Sequence, residues 1–528
     1  MPADQLIYQL PATLAPKEFK SWLEDDHVFE FEHSKDFTRI YLDTFDWRLF
    51  RSGSVLEIIL EKGHYLLTWR KLGTGVVLDQ RTMKSLPRFA SEFIAPGLQH
   101  RMRDVIGRRS LMPQISLKSD TRKLYLLDGE EKQQLRLEIR MDRVVVPNST
   151  GYLMLPTFVY LFPYRGYRGA YQKILQRITA SGGLLPAQKD PLTEAMDYLQ
   201  IEPEDYNNRP EFELNPDREA INGLKEVLEA FRVIMEKNIQ GACQAEDPEY
   251  LHDFLIAARR TQCLLNRYPD VFPEEALKLI KQDFEWAEQF ASPIRDLDIY
   301  LSLFDEFASR LDQAHRASLR PLYEYLRDQK AAKQWQMRTA LESTRYKRLM
   351  ENWKRFLDHK QALQDLPEAA GRPIREVAGI RIADLYREVL SLGRELDEES
   401  SAEALVALHQ TSKKLGYHLE LFHSLFPKKK IAWLVEAQLS LQENLNSFHD
   451  LNLQHDALLK YRQKMQQEQR TMPVWLETMD LLVEDRESEC RKARLEFPER
   501  FKKLTRKKMR KQVRSLLEDR GTRGRGTA

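Results

Sequence analysis

The chain reads as an α+β protein of more than one domain, a mainly β N-terminal part followed by an all-α part built from two copies of one helical unit. Three observations carry this reading. Short alternating segments fill residues 1 to about 150, and beyond Pro216 the apolar period turns helical and stays so to about Leu517. Shifting the sequence by 154 residues then lays the second helical stretch over the first without a gap. Under that shift Arg259-Arg260 falls on Lys413-Lys414, Val271-Phe272-Pro273 on Leu425-Phe426-Pro427, and Arg295-Asp296-Leu297-Asp298 on His449-Asp450-Leu451-Asn452. Because turn signals match as well as apolar positions, the match marks an internal duplication.

Taken in order, strands are expected at Thr38–Asp43, Val55–Leu60, Tyr65–Arg70, Gln114–Lys118, Arg122–Leu127 and Gln134–Val146. The last alternates most regularly, with Leu135, Leu137, Ile139 and Met141 on one face and Arg136, Glu138, Arg140 and Asp142 on the other. Such a charged face fits either bulk water or a wet interior. From Gly169 to Leu199 the pattern is helical with a Gly-Gly-Leu-Leu-Pro break. The aperiodic, proline-containing stretch within 202–216 reads as a linker, dividing a domain at 1–201 from helical repeats at 217–370 and 371–517. Residues 518–528 read as a disordered basic tail.

Composition bounds the function. The 528 residues carry 82 basic and 80 acidic side chains, so a polyanion site must come from local clustering rather than net charge. Three scattered cysteines supply neither a disulfide framework nor a zinc site, and they fit a reducing compartment. The N-terminus lacks a signal-peptide pattern, and the most apolar stretch, Gly151 to Tyr164, is too short to span a bilayer. The expectation is a soluble, cytoplasmic protein with no membrane contact.

The first repeat has a strong helix start at Asp247-Pro248-Glu249. From there Leu251, Phe254, Leu255, Ala258 and Leu265 form a core stripe, while His252, Arg259, Arg260, Cys263 and Arg267 gather on another face. In the second repeat the stripe is Leu408, Leu415, Leu419, Phe422 and Phe426. Its other face holds His409, Lys413, Tyr417, Glu420 and His423, with Lys414 at the edge. Cations repeated at one spacing beside histidine suit phosphate oxygens.

Ser292-Pro293 reads as the start of a further helix carrying Arg295. Asp296 and Asp298 are expected to hold neighbouring arginines in place, with Asp450 as the second copy; divalent-metal ligation is the less favoured alternative. Arg345, Lys347 and Arg348, and Lys428 to Lys430, fit either an extended polyanion track or a solubilising surface.

About residues 213 to 512 resemble the CHAD domain, the conserved-histidine α-helical domain. The likeness lies in His252-Asp253-Phe254-Leu255-Ile256-Ala257-Ala258-Arg259-Arg260, in Arg295-Asp296-Leu297-Asp298, and in Lys413-Lys414-Leu415-Gly416-Tyr417 with Glu420. The resemblance implies two four-helix bundles related by a pseudo-twofold axis that bind inorganic polyphosphate at a basic central surface. On that basis the binding residues are His252, Arg259, Arg260, Arg295, Arg345, Arg348, His409, Lys413, Lys414 and His449. Leu255, Val406, His409 and Gly416 depart from the family's pattern, which implies weaker or more selective binding.

The N-terminal part resembles the CYTH domain, a triphosphate tunnel, in Tyr41-Leu42-Asp43-Thr44-Phe45-Asp46-Trp47-Arg48-Leu49, Tyr65-Leu66-Leu67-Thr68-Trp69-Arg70 and Leu137-Glu138-Ile139-Arg140-Met141-Asp142. The resemblance implies an antiparallel β tunnel or barrel lined by the charged face of 134–146. The family's ExExK glutamates have no counterpart in residues 1 to 17, paired arginines are replaced by Leu56-Glu57-Ile58-Ile59, and the late ExE pair by Phe158-Val159-Tyr160-Leu161-Phe162. The expectation is a degenerate tunnel, no catalytic residue, no metal and no cofactor, in a polyphosphate-binding protein associated with polyphosphate granules. A triphosphatase would have to hold metal on Glu138 and Asp142, with Arg70, Lys118, Arg122, Arg136 and Arg140 on phosphate. A third reading uses the basic run from Arg500 as a nucleic-acid arm, disfavoured because aromatic residues are sparse there.

Overall fold

A computed structural model describes residues 7–24, 29–61, 63–93, 95–128, 130–146, 151–164, 166–180, 184–203, 206–359, 366–397, 400–467 and 473–518. The chain forms two compact units, Met1–Asn207 and Asn208–Ala528. The expected tail lies outside the described residues from 519 onward.

In the first unit the elements run β1 (Ile7–Gln9), α1 (Pro16–Glu24), β2 (Phe29–Asp43), α2 (Arg48–Arg51), β3 (Ser54–Glu61), β4 (His64–Lys71), β5 (Val77–Met83) and α3 (Pro96–Ile106). They continue with β6 (Met112–Leu127), β7 (Gln133–Val145), β8 (Tyr152–Met154), β9 (Phe158–Pro163), α4 (Arg168–Ala180), β10 (Leu185–Pro186) and α5 (Pro191–Leu199). The strands pair antiparallel in the order β10-β1-β9-β7-β6-β2-β3-β4-β5, with β8 on β7. Gln114–Lys118 and Arg122–Leu127 belong to one strand, β6, because Ser119 to Thr121 keep the ladder intact against β7. The apolar segment 158–163 is a strand between β1 and β7, and β5 and α3 also went unread from the sequence.

The sheet curls, and its alternation separates two environments. Leu135, Leu137 and Ile139 pack outward on Phe19, Tyr171, Ile174 and Ile178 of the flanking helices. Arg136, Glu138, Arg140 and Asp142 face the hollow side. Solvent alone does not explain that charged face, since Glu138, Arg140 and Asp142 are buried. A second apolar cluster packs Tyr41, Val55, Ile115, Phe158 and Leu192 together.

The second unit is helical throughout: α6 (Ala220–Gln244), α7 (Pro248–Arg267), α8 (Glu274–Arg310), α9 (Gln313–Ser318), α10 (Arg320–Leu341), α11 (Thr344–Asp358), α12 (Ile374–Arg394), α13 (Ala402–Phe422), α14 (Lys428–Gln467), α15 (Pro473–Thr505) and α16 (Lys507–Glu518). Helices α6, α7 and α8 begin 154 residues before α12, α13 and α14. The two copies meet head to head. Glu219 bridges Pro373, Ala220 donates its N–H to the Arg372 carbonyl at 2.8 Å, and Ile374 donates to the Arg218 carbonyl at 2.8 Å. The 154-residue shift exchanges those two hydrogen bonds, as a local twofold axis requires. A second join is apolar, with Leu297, Phe307, Leu322 and Leu326 packed on Leu458, Met465, Trp475 and Met479.

Both expected core stripes are buried, Leu251 to Leu265 on α7 and Leu408 to Phe426 on and just after α13. Asp247 caps α7 by accepting the Glu249 N–H at 2.8 Å. One helix start is corrected: Pro293 lies inside α8 rather than opening a new helix. Its missing N–H costs one main-chain hydrogen bond, and the long packed faces of α8 hold the helix together across it. The linker is also less free than its composition suggests. Tyr206 stacks tilted on Phe45 at 4.9 Å, while Phe212 packs edge-on against Phe231 at 6.4 Å.

Candidate functional site: a charged cluster where the repeats meet

Helices α7 and α13 turn their non-core faces toward each other's repeat. Arg260 is buried and reaches across to the second repeat, donating from Nη2 to Glu420 Oε2 at 2.6 Å with its guanidinium 5.2 Å from the Tyr417 ring. The α7 face is therefore not a solvated stripe. Cys263 is buried in the same face, and burial pushes its thiol up to about 11, so it is a packing residue.

Around this contact the equivalent motifs of both repeats converge. Arg259 on α7, partly exposed, donates from Nε to Glu288 Oε1 at 2.6 Å and from Nη2 to Ser292 Oγ at 2.8 Å. Lys413, its counterpart on α13, is half-buried. Burial first, then the Arg259 charge, pulls the Lys413 ammonium below its ordinary value, while Asp450 and Glu288 act in the opposite sense. Among the described residues the Lys413 ammonium makes no ion pair or hydrogen bond, and neither does the Lys414 ammonium. Asp296 keeps solvent access, yet enough protein surrounds it that its carboxyl is pushed up; Arg259, His449 and Arg295 oppose that rise and Asp450 adds to it. Asp296 and Asp450 thus face one another's neighbourhood across the repeats, with Arg259, Lys413 and His449 among them.

The expected residues divide accordingly. Arg259, Lys413, His449, Asp296 and Asp450 form one electrostatic cluster. Arg295 joins it and also pairs with Glu249 at 3.4 Å. Lys414 is half-buried on α13, and His252 is half-buried on α7. His409 is buried, bonded through Nε2 to Asn446 Oδ1 at 2.8 Å, its ring centre 4.5 Å from that of His449. Burial holds His409 down at about 4, so it is neutral near pH 7 and adds no positive charge. His449 is lowered for the same first reason. Asp298 does not hold an arginine rotamer: its nearest cation is Lys330, 2.6 Å away on α10. Arg345 is engaged on α8, 3.1 Å from Asp283 and 4.2 Å from the centre of the Trp286 ring, while Arg348 is exposed on α11. No group of three or more His, Cys, Asp or Glu side chains placed for a metal occurs among the described residues.

At Gly416 a Cβ would fall 2.2 Å from Gln442 Oε1, so a longer side chain there requires the Gln442 side chain to move aside. Glu288, Ser292 and Asn446 were missed from the sequence. They lie 29 to 37 residues from their partners with no local signature. A one-turn spacing along α8 aligns Glu288 with Ser292, the one signal available beforehand.

The hollow of the first unit is the other charged site. Glu57 sits at its centre, with Arg39 Nη1 at 3.0 Å, Arg70 Nε at 3.4 Å and Arg140 Nη1 at 3.5 Å. Burial opposes its charge, but these arginines outweigh burial and hold Glu57 at about 2. Arg70 also forks onto Asp190, at 2.5 and 3.0 Å, and Arg140 binds Glu138 at 2.8 Å. Asp142 accepts from Ser119, and Tyr160, where an acid of the late pair would stand, lies with its ring centre 3.8 Å from the Arg140 guanidinium. Lys118 and Arg122 are corrected: the register that puts Ser119 opposite Asp142 and Thr121 opposite Arg140 places both on the outer face. Arg39 and Asp190 were not anticipated, being brought to this interior by pairings across up to 120 residues.

A curled antiparallel sheet with a charged hollow, followed by a duplicated helical unit with a charged join, defines a two-part tunnel-and-bundle protein. Residues 226–459 match the model of the CHAD domain family. No curated protein matches the chain. Among solved structures, the CHAD domain of the plant Ricinus communis is similar at 19% identity, covering 59% of this chain and 96% of its own with a TM-score of 0.43. PptA from Streptomyces chartreusis is similar at 15%, covering 54% and 99%, TM-score 0.41. The proposed adenylyl cyclase HpAC1 from Hippeastrum, reported with a dominant triphosphatase activity, is similar at 12%, covering 38% and 98%, TM-score 0.25. No described helix is long and apolar enough to cross a membrane.

Proposed function

We propose that the helical unit binds inorganic polyphosphate at the join of its repeats, without hydrolysing it, and that this binding tethers the protein to polyphosphate granules in the cytoplasm. The observation that carries the reading is Lys413: a half-buried ammonium in no close ion pair among the described residues, beside Arg259, where both repeats bring equivalent charged motifs together. A phosphate chain offers anionic oxygens that such a lysine lacks, and Arg259 and Lys414 extend the contact. The neighbouring acids Glu288, Asp296 and Asp450 keep the cluster near balance, so selectivity for a multiply charged chain over isolated phosphate is expected. In the first unit, Glu57 and Glu138 are engaged by arginines, which supports a role without metal hydrolysis there.

The test compares filter retention of long-chain polyphosphate by the wild type, by Lys413→Ala/Lys414→Ala, and by that pair combined with Arg259→Ala and Arg260→Ala. Retention should fall in steps and decline steeply with salt by counterion release. Wild-type retention by the quadruple variant would remove this surface from consideration, and phosphate release from tripolyphosphate lost in Glu138→Gln would establish the enzymatic alternative. Preferential retention of RNA, lost on deleting residues after Leu504, would favour the basic C-terminal run instead.

A further inference from the structure

The hollow of the first unit is a cavity of about 500 Å³, within the usual size range of small-molecule sites. Its polar side is nearly self-neutralised. Among the described residues, Arg39, Arg70, Lys123, Arg136 and Arg140 face it together with Glu32, Asp36, Glu57 and Glu138, five cations against four carboxylates. The inner arginines are committed to Glu57, Glu138 and Asp190. A ligand bearing several negative charges would therefore have to strip arginines from carboxylates in a buried setting, which leaves uncompensated charge behind. A ligand with one anionic head meets no such penalty.

Two further features describe that ligand. The first is a set of donors still seeking acceptors. Thr121 Oγ1 and the Tyr160 hydroxyl are both buried, both on side chains lining the cavity, and both without a hydrogen-bond partner among the described residues. Buried polar groups are ordinarily satisfied, so such a pair marks a place for an acceptor. Nearer solvent, Arg136 and Lys123 are each about one-third exposed, and among the described residues each makes one carboxylate contact, of 3.3 Å, to Glu138 and Glu32 respectively, with the Arg136 guanidinium also 4.5 Å from the centre of the Phe162 ring. The second feature lies on β3, β4 and β5, where Ile59, Leu60, Leu66 and Val77 line the cavity beside the polar Glu57, Thr68, Arg70 and Gln80. Leu60 and Val77 are 54% and 41% exposed, an apolar rim turned toward solvent.

We infer that this cavity binds a single-headed organic anion: a phosphate monoester or carboxylate that takes its charge to the Arg136, Lys123 and Thr121 side and lays an apolar body along Ile59, Leu60, Leu66 and Val77. The site is separate from the repeat join and independent of polyphosphate binding.

Calorimetric titration of the full chain with octyl phosphate tests it, beside inorganic phosphate, octyl glucoside and magnesium tripolyphosphate. Octyl phosphate should fill one site per chain, at least about tenfold more tightly than inorganic phosphate or octyl glucoside, with about tenfold loss in both Arg136→Gln and Leu60→Asp. Both positions are solvent-accessible, and an unchanged thermal midpoint in each variant confirms that the fold is intact. Any one of four results overturns the inference. These are no octyl phosphate binding, octyl glucoside binding as well as octyl phosphate, indifference to both substitutions, or tighter tripolyphosphate binding that Arg136→Gln itself abolishes.

Discussion

His418 makes the helical unit acid-labile, by an amount that can be worked from its surroundings. It is fully buried on α13, its Nδ1 bonded to the Lys414 carbonyl at 2.8 Å and its ring stacked on Tyr268 at a centroid distance of 5.7 Å. Nε2 has no partner among the described residues, so a second proton would be introduced where none of them accepts it. Burial, with Arg267 and Arg381 adding to it, holds His418 down at about 4 from an ordinary 6.5. The folded value is depressed, so the unfolded chain takes up this proton first. Stability is complete above about 6.5, falls as pH drops toward 4, and changes no further below that through this group. Between pH 7 and pH 5 the loss from one such histidine is about 2 kcal/mol. With ~2.1 cal/mol/K of unfolding entropy per residue across this unit, that loss lowers its thermal midpoint by about 3 °C. Calorimetry of the wild type and His418→Phe at both pH values checks this. Each protein is compared only with itself, so the packing cost of the larger ring cancels. The variant should lose about 3 °C less than the wild type between pH 7 and pH 5. Equal losses, or a His418 proton resonance titrating near 6.5, would refute the reasoning.

Other perturbations follow from the same structure. Glu57→Gln takes from Arg39 its carboxylate at 3.0 Å and from Arg70 and Arg140 one of two, and should destabilise the first unit by about 3–5 kcal/mol in urea unfolding; a cost below about 1 kcal/mol would mean the network is solvated. Gly393→Ala places a Cβ 2.3 Å from the Phe501 ring. It should cost about 1–3 kcal/mol, with Phe501→Leu recovering much of the loss in the double mutant. Lys413→Met removes a half-buried, unpaired cation, so the helical unit should hold or gain up to about 1 kcal/mol while polyphosphate retention falls, opposite signs that a merely structural lysine would not produce. Asp247→Ala deletes the α7 cap and should cost ~1 kcal/mol by thermal unfolding.

The duplication was legible in the chain because matched turn signals and apolar stripes are local. The same spacing that aligns Val271-Phe272-Pro273 with Leu425-Phe426-Pro427 recurs in the helix starts at 220 and 374, 248 and 402, 274 and 428. Strand alternation was equally local, so the two faces of β7 could be assigned before the sheet was known. Pro293 misled because a proline's effect depends on what packs beside it. Lys118 misled because membership of the charged face is settled by strand register, and its neighbours 117 and 119 are the ones turned inward.

By itself the sequence determined the two-part architecture, the core stripes of α7 and α13, and which positions are paired by duplication, since each depends on periodicity within one segment. Only the tertiary structure decided which charges remain available. Arg260 is bound to Glu420 across 160 residues, Arg70 to Asp190 across 120, and Lys413 is in no close ion pair among the described residues. A charge's value rests on its distance to other charges and on the water left around it, and a one-dimensional order of residues encodes neither until the chain has folded.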